Sequence, residues 1–108
     1  MSSLWEQRAA RNEALFREVN ENIARLEQTY GGAATREAVF ICECASDTCT
    51  EQLRVDAETY RRVREDPRRF LVLPGHAEDR VESIVETTPG YQIVEKTGIA
   101  GEVAEQMA

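Results

Sequence analysis

The stretch from residue 3 to about residue 29 contains neither glycine nor proline. Ser3 followed by Glu6 has the spacing of a capping box, and Gly31 with Gly32 closes the run. This predicts a helix of about 40 Å at 1.5 Å per residue. It consumes a quarter of the 108 residues, so the rest of the chain must fold beside it or leave part of it overhanging. Trp5, Ala9, Asn12, Phe16, Val19, Ile23, Leu26 and Tyr30 recur at alternating intervals of four and three, the spacing of a coiled-coil seam broken only by Asn12. An overhanging seam needs a second helix. The expectation is therefore a homodimer, or a partner protein docked on this helix, with Asn12 choosing the register and Arg8 meeting Glu13 of a parallel partner. Glu13 with Arg17 and Glu21 with Arg25 would add exposed pairs worth about 0.2–0.5 kcal/mol each. The same stripe also suits a helix that packs on its own chain's sheet, and that alternative stands beside the first.

Beyond the glycines the pattern becomes β-like. "AVFICEC" (38–44) and "TEQLRV" (50–55) flank a short turn as the two strands of a hairpin would. Residues 56–66 read as a short helix, with Asp56 as N-cap, Tyr60 and Val63 on one face, and Pro67 as its stop. "RRFLVLPGH" (68–76) reads as a strand ended by Pro74 and Gly75, leaving His76 in or just after the turn. "YQIVEK" (91–96) is a further strand, residues 79–87 fit helix or strand, and the tail fits a weak helical turn or a frayed end. The predicted class is α+β: a long N-terminal helix (1–32), a small antiparallel β body with one short helix (33–98), and a short tail (99–108), the body held by a metal.

The chain's three cysteines, Cys42, Cys44 and Cys49, fall within eight positions, and it has one histidine, His76. Together they are the complement of a Cys3His zinc site, which takes four N or S ligands in a tetrahedron. Cys42 and Cys44 start on the same face of a strand, and a turn can bring Cys49 back towards them. A body of this size buries marginal apolar area, which favours a metal staple. Four other readings remain open. The thiols can be free, or Cys44 and Cys49 can form a reversible disulfide, although no lysine lies nearby in sequence to lower a thiol pKa. Three Cys and one His also hold some [2Fe–2S] clusters. The spacing is similar to that of small CDGSH iron–sulfur proteins, except that the second gap is shorter and the histidine is not three residues after the last cysteine. Finally, Cys49 as nucleophile with His76 as base is the one such pairing available to an enzyme, but no Gly-rich oxyanion or phosphate loop accompanies it. A shell saturated by four protein ligands has no open position for substrate, so the reading leans away from catalysis.

A formal net charge of −7 opposes nucleic-acid binding as a general role. The apolar runs are too short to span a bilayer, and the N-terminal residues lack a signal-peptide core, so the expectation is a cytoplasmic protein without a membrane partner. One local exception to the acidic balance is "YRRVREDPRRF", with Arg61, Arg62, Arg64, Arg68 and Arg69 within nine positions. It reads either as a contact for phosphate or an acidic partner, or as a solvated face paired with Glu58, Glu65 and Asp66. The excess of arginine over the lone lysine reads as genomic base composition.

"FICECASDTCTEQLRVDAETYRRVREDPRRFLVLPGH" together with "YQIVEK" resembles a group of short uncharacterised actinobacterial proteins. Those carry a CxC, a cysteine five positions later, a Pro-Gly-His turn and a closing aromatic-x-Val-Val-Glu-Lys strand, and many begin with a charged helix containing "NEALFREVNE". The resemblance covers most of residues 5–96, with Ile93 where one valine would stand. It implies that Cys42, Cys44, Cys49 and His76 act as one unit, and it carries no activity. The combined expectation is a small non-catalytic zinc-binding protein that serves as an interaction or regulatory module through its N-terminal helix. The alternatives are a metal or thiol redox sensor built on zinc or iron–sulfur, and an anion- or nucleic-acid-binding module using the arginine patch.

Overall fold

The computed structural model describes residues 4–26, 37–44 and 49–106, and of residues 4–12 it gives the side chain of Arg11 alone. The capping box, the side chains of Trp5, Ala9 and Asn12, and Tyr30 with the two glycines after it lie outside the described residues. Helix α1 (Leu4–Leu26) leads into a hairpin of β1 (Glu37–Ile41) and β2 (Gln52–Asp56). Helix α2 (Ala57–Arg64), β3 (Arg69–Val72), β4 (Glu82–Thr87), β5 (Gln92–Lys96) and α3 (Gly98–Gln106) follow. The second sheet has the order β3-β5-β4, antiparallel throughout. The fold is α+β. Among the described residues no helix is long and apolar enough to cross a membrane.

The hairpin forms as its alternation requires, with Ala38 opposite Val55 and Phe40 opposite Leu53, all four buried. Asp56 ends β2 and caps α2 by accepting from Thr59 N at 2.7 Å. That cap turns Tyr60 and Val63 inward, and the Tyr60 ring stacks on Phe40 with centroids 4.7 Å apart. Residues 79–87, which fit either element, supply β4, whose register shifts between Ile84 and Glu86. The tail differs from the expected weak turn or frayed end, because residues 98–106 form a helix. Ala100, Gly101 and Ala104 give it a small-residue face that packs closely, and Arg68 Nε donates to Glu105 Oε1 at 2.6 Å.

The largest departure from the sequence reading lies on α1. Among its described side chains the buried ones are Glu13, Arg17, Asn20 and Ala24, spaced four, three and four apart, so this part of the stripe facing the body is largely polar. Of the apolar seam, Phe16, Val19 and Ile23 are half-buried and Leu26 is exposed. Glu13 and Arg17 are therefore not an exposed pair, and Glu13 does not await Arg8 of a partner chain. Arg17 Nη1 donates to Pro67 O at 3.0 Å and Ala104 O at 3.4 Å, tying α1 to the turn before β3 and to α3. Arg25 Nη2 donates to Asn22 Oδ1 at 2.7 Å on the exposed side of the helix.

Asn20 is spent fully on the body. Its Oδ1 accepts from Ile41 N at 2.8 Å, and its Nδ2 donates to Ile41 O at 2.7 Å and Glu43 Oε2 at 2.9 Å. The amide thus takes the place of a neighbouring strand along β1. Lower down the interface, the chain's one lysine, Lys96, is 2% exposed and lies between the carboxylates of Glu13 and Glu82, with its ammonium 5.6 Å from the Phe70 centroid. Burial pushes the Glu13 carboxyl up to about 8, with Glu82 adding to the shift and Lys96 opposing it.

Two outcomes follow from this interface. Asn20→Ala strands both outward backbone groups of Ile41 and should cost about 2–4 kcal/mol in urea denaturation. The Glu13 contribution is fully present below the unfolded carboxyl pKa of 4.5 and is lost as pH rises towards about 8, because over that window the folded chain keeps a proton that the unfolded chain releases. Relative to Glu13→Gln, the native protein should lose up to about 1.4 kcal/mol per pH unit across that window and level off above it. Denaturation midpoints of the two proteins at pH 5 to 9 read the difference directly.

Candidate metal centre

Two local structures deliver the four predicted ligands. Residues 42–44 continue β1 past its regular pairing, and Cys42 N donates to Glu51 O at 2.9 Å, holding the strand end against the start of β2 where Cys49 arrives. The histidine comes from a turn after β3, in which His76 N donates to Leu73 O at 3.0 Å and Gly75 has φ +86°. Pro74 and Gly75 meet the two conformational demands of a type II turn, a preset φ near −65° and then a positive φ. The "PGH" triplet aims His76 at the hairpin end.

The donor atoms of Cys42, Cys44, Cys49 and His76 all lie within 4.8 Å of one another, close enough to bind a metal ion. His76 Nδ1 stands 3.7 Å from Cys42 Sγ and 3.6 Å from Cys49 Sγ. A tetrahedral ion with metal–sulfur bonds of about 2.3 Å and metal–nitrogen bonds of about 2.0–2.1 Å has N···S edges of about 3.6 Å. The two observed separations have that length. Cys42 and Cys44 are buried and Cys49 is half-buried. Leu73 N donates to Cys42 Sγ at 3.2 Å, a backbone bond of the kind that orients a ligating sulfur and supports its negative charge.

Electrostatics differ between the metal-free and metal-bound conditions. Without a metal, the Cys42 thiol is raised far above its usual value by its hydrogen bond with Cys44 and by burial, and Cys49 is raised by burial against a backbone N–H of Glu51. Three crowded thiols cannot all ionise unless a cation compensates them. Both shifts run against an activated nucleophile, which needs a lowered thiol pKa. They suit a ligand set whose thiolates form as a dication arrives.

Between the two cysteines sits Glu43, which the sequence reading passed over. It is fully buried, and its carboxylate turns away from the sulfurs into a network. Oε1 accepts from Leu71 N at 2.8 Å, while Oε2 accepts from the Tyr60 hydroxyl at 2.5 Å and from Asn20 Nδ2 at 2.9 Å. Glu43 N also donates to Leu71 O at 2.8 Å, so one residue satisfies both outward groups of Leu71 on the free edge of β3. Burial raises the Glu43 carboxyl, opposed by Arg64 and by these donors. The signal available in sequence was a single acid inside an otherwise apolar run. Lys96 was likewise missed, its one hint being that it is the sole lysine among twelve arginines.

The five patch arginines are not brought together as one surface. Arg68 pairs with Glu105, Arg69 with Glu95 and Asp66, Arg62 reaches Thr59 Oγ1, and Arg61 and Arg64 border a groove between α1 and α2. Comparison of the chain with protein-family models, with curated proteins and with solved structures finds no match.

Gly75→Ala tests the turn. A Cβ there meets no atom within 4 Å, so the substitution should act through backbone strain alone, costing about 1–2 kcal/mol. Metal affinity should fall with it, as measured by competition with a chromophoric chelator.

Proposed function

We propose that this is a small non-catalytic zinc protein in which Cys42, Cys44, Cys49 and His76 close a structural Cys3His shell, and in which α1 is the element offered to a second copy or to another protein. The single observation that carries the metal reading is the mutual approach of the four donor atoms within 4.8 Å, with the His76 nitrogen at tetrahedral-edge distance from two sulfurs. Convergence on one point supports a single ion over a two-iron cluster, which holds two ligands at each of two separated irons. Four protein ligands leave no coordination position for a reacting water, in keeping with a stabilising role.

The interaction role of α1 is supported by what its docking leaves over. With Glu13, Arg17, Asn20 and Ala24 turned inward, Leu15 and Leu26 remain 56% and 57% exposed, beside half-buried Phe16 and Val19. A second reading, a metal or redox sensor, is favoured by Glu43. The residue between two ligands also holds α1 and α2, so oxidation of the thiols or loss of the ion would be felt at the helix.

Native mass spectrometry of untagged protein, with metal analysis and an absorbance spectrum, tests both parts. The expected result is one zinc per chain, lost in His76→Ala, and a dimer that Leu26→Glu dissociates. A metal-free chain would sink the zinc reading, and iron with visible absorbance would replace it with an iron–sulfur one. A strict monomer by light scattering at high concentration would remove the homodimer.

A further inference from the structure

Arg61 and Arg64 are set apart from the other patch arginines by what their nitrogens lack. Arg68 Nε donates to Glu105 at 2.6 Å and Arg69 Nε to Glu95 at 3.1 Å, so both are committed to carboxylates of the chain. In contrast, Arg61 Nε, Arg64 Nε and Arg64 Nη2 are buried and have no hydrogen-bond partner among the described residues. Nε and Nη2 lie on one edge of the guanidinium, where their parallel N–H bonds form the fork that matches the two oxygens of a carboxylate. A buried donor left unpaired costs about 1–3 kcal/mol, and two on one fork mark the place of an acceptor with two oxygens. The plane of the fork is held by aromatic rings, with the Arg64 guanidinium carbon 4.9 Å from the Phe70 centroid and 5.8 Å from that of Tyr60.

The same two arginines border a groove of about 190 Å³ between α1 and α2, whose other described walls are Glu21, Ala24, Arg25 and Tyr60. Among the described lining residues three guanidinium groups stand against the Glu21 carboxylate, with the buried Glu43 carboxyl also acting on Arg64, which leaves the groove cationic on balance. The groove is smaller than the roughly 300–1,000 Å³ of a drug-sized site, which limits the ligand to a few atoms beyond its charged group. Glu21 on the wall disfavours a doubly charged phosphate and tolerates a single negative charge.

We propose that this groove binds a small organic carboxylate, taken side-on by Arg64 Nε and Nη2, with one oxygen shared by Arg61 Nε and a short apolar body resting on Ala24 and the Tyr60 ring. The fork nitrogens are buried in the free chain, so the ligand reaches them as the side chains that border the groove give way. The site is separate from the metal centre and does not depend on the zinc reading.

Calorimetric titration of the full chain with benzoate as probe, and with inorganic phosphate for comparison, tests the assignment. Benzoate should bind saturably at one site and more tightly than phosphate. Arg64→Lys keeps the charge but removes the fork, and should weaken benzoate about tenfold or more. Glu21→Gln removes the opposing charge and should tighten it about two- to threefold, a gain that mere damage to the fold does not produce. Arg68→Lys, at an arginine already paired with Glu105, should leave binding unchanged. Absence of saturable benzoate binding, preference for phosphate, equal affinity in a folded Arg64→Lys protein, or weaker binding in Glu21→Gln would each overturn the proposal.

Discussion

The buried carboxylate of Glu43 is the interaction on which the arrangement of the chain depends. A fully desolvated carboxyl is costly to hold unless every acceptor site is used. Here the donors come from three elements: Asn20 on α1, Tyr60 on α2 and the Leu71 backbone on β3. Arg17 on α1 reinforces the same junction, accepting from the Tyr60 hydroxyl at 3.3 Å through its carbonyl and lying over the Phe70 ring of β3. Its place between Cys42 and Cys44 gives the short segment 42–44 two roles at once. Period-2 alternation sends the cysteines towards His76 and the carboxylate towards the helices. Leu71 on β3 and Leu73, the residue just past its end, donate their backbone N–H groups to Glu43 Oε1 and to Cys42 Sγ. Side-chain atoms thus finish an edge that would otherwise lie open.

The mode of docking of α1 follows from the same edges. The surface that β1 presents to the helix includes the outward N–H and C=O of Ile41, and an apolar helix face laid on it would strand both. Asn20 can satisfy the pair because its amide carries a donor and an acceptor side by side. Arg17 and Glu13 do the equivalent for backbone carbonyls near α3 and for Lys96. Polar contacts of this kind are directional, so they define one register and one rotation of the helix, whereas an apolar stripe tolerates sliding. The apolar residues are left to the flank.

That inversion explains what could be read in advance. Strand alternation at 38–44 and 50–55, the Asp56 cap and the Pro74–Gly75 turn are local demands of backbone chemistry, and each is written in adjacent residues. The convergence of Cys42, Cys44, Cys49 and His76 was legible for the same reason, since a scarce set of ligands was delivered by a hairpin end and a type II turn. The inward face of α1 was not legible. Hydrophobic periodicity reports the buried side of a helix only when burial is apolar, and Glu13, Arg17 and Asn20 look like surface residues until Lys96, Pro67 and Ile41 stand opposite them. The arginines of residues 61–69 were equally opaque. Their division depends on Glu95 and Glu105, some thirty residues later in the chain, and on the face of α1 that meets α2.

One consequence of this architecture concerns how a site at the hairpin end could act at a distance. Residues 42–44 are held from one side by the ligand cluster and from the other by the Glu43 network, with Cys42 N bonded to Glu51 O and Glu43 N to Leu71 O. Their position is therefore a compromise between the two sets of bonds. An ion that draws Cys42 and Cys44 together would pull on the same backbone whose next side chain carries Asn20 and Tyr60. Because these bonds are directional, the place of the segment is defined against α1, α2 and β3 as closely as against the four donor atoms, which a helix docked by apolar packing alone would not do.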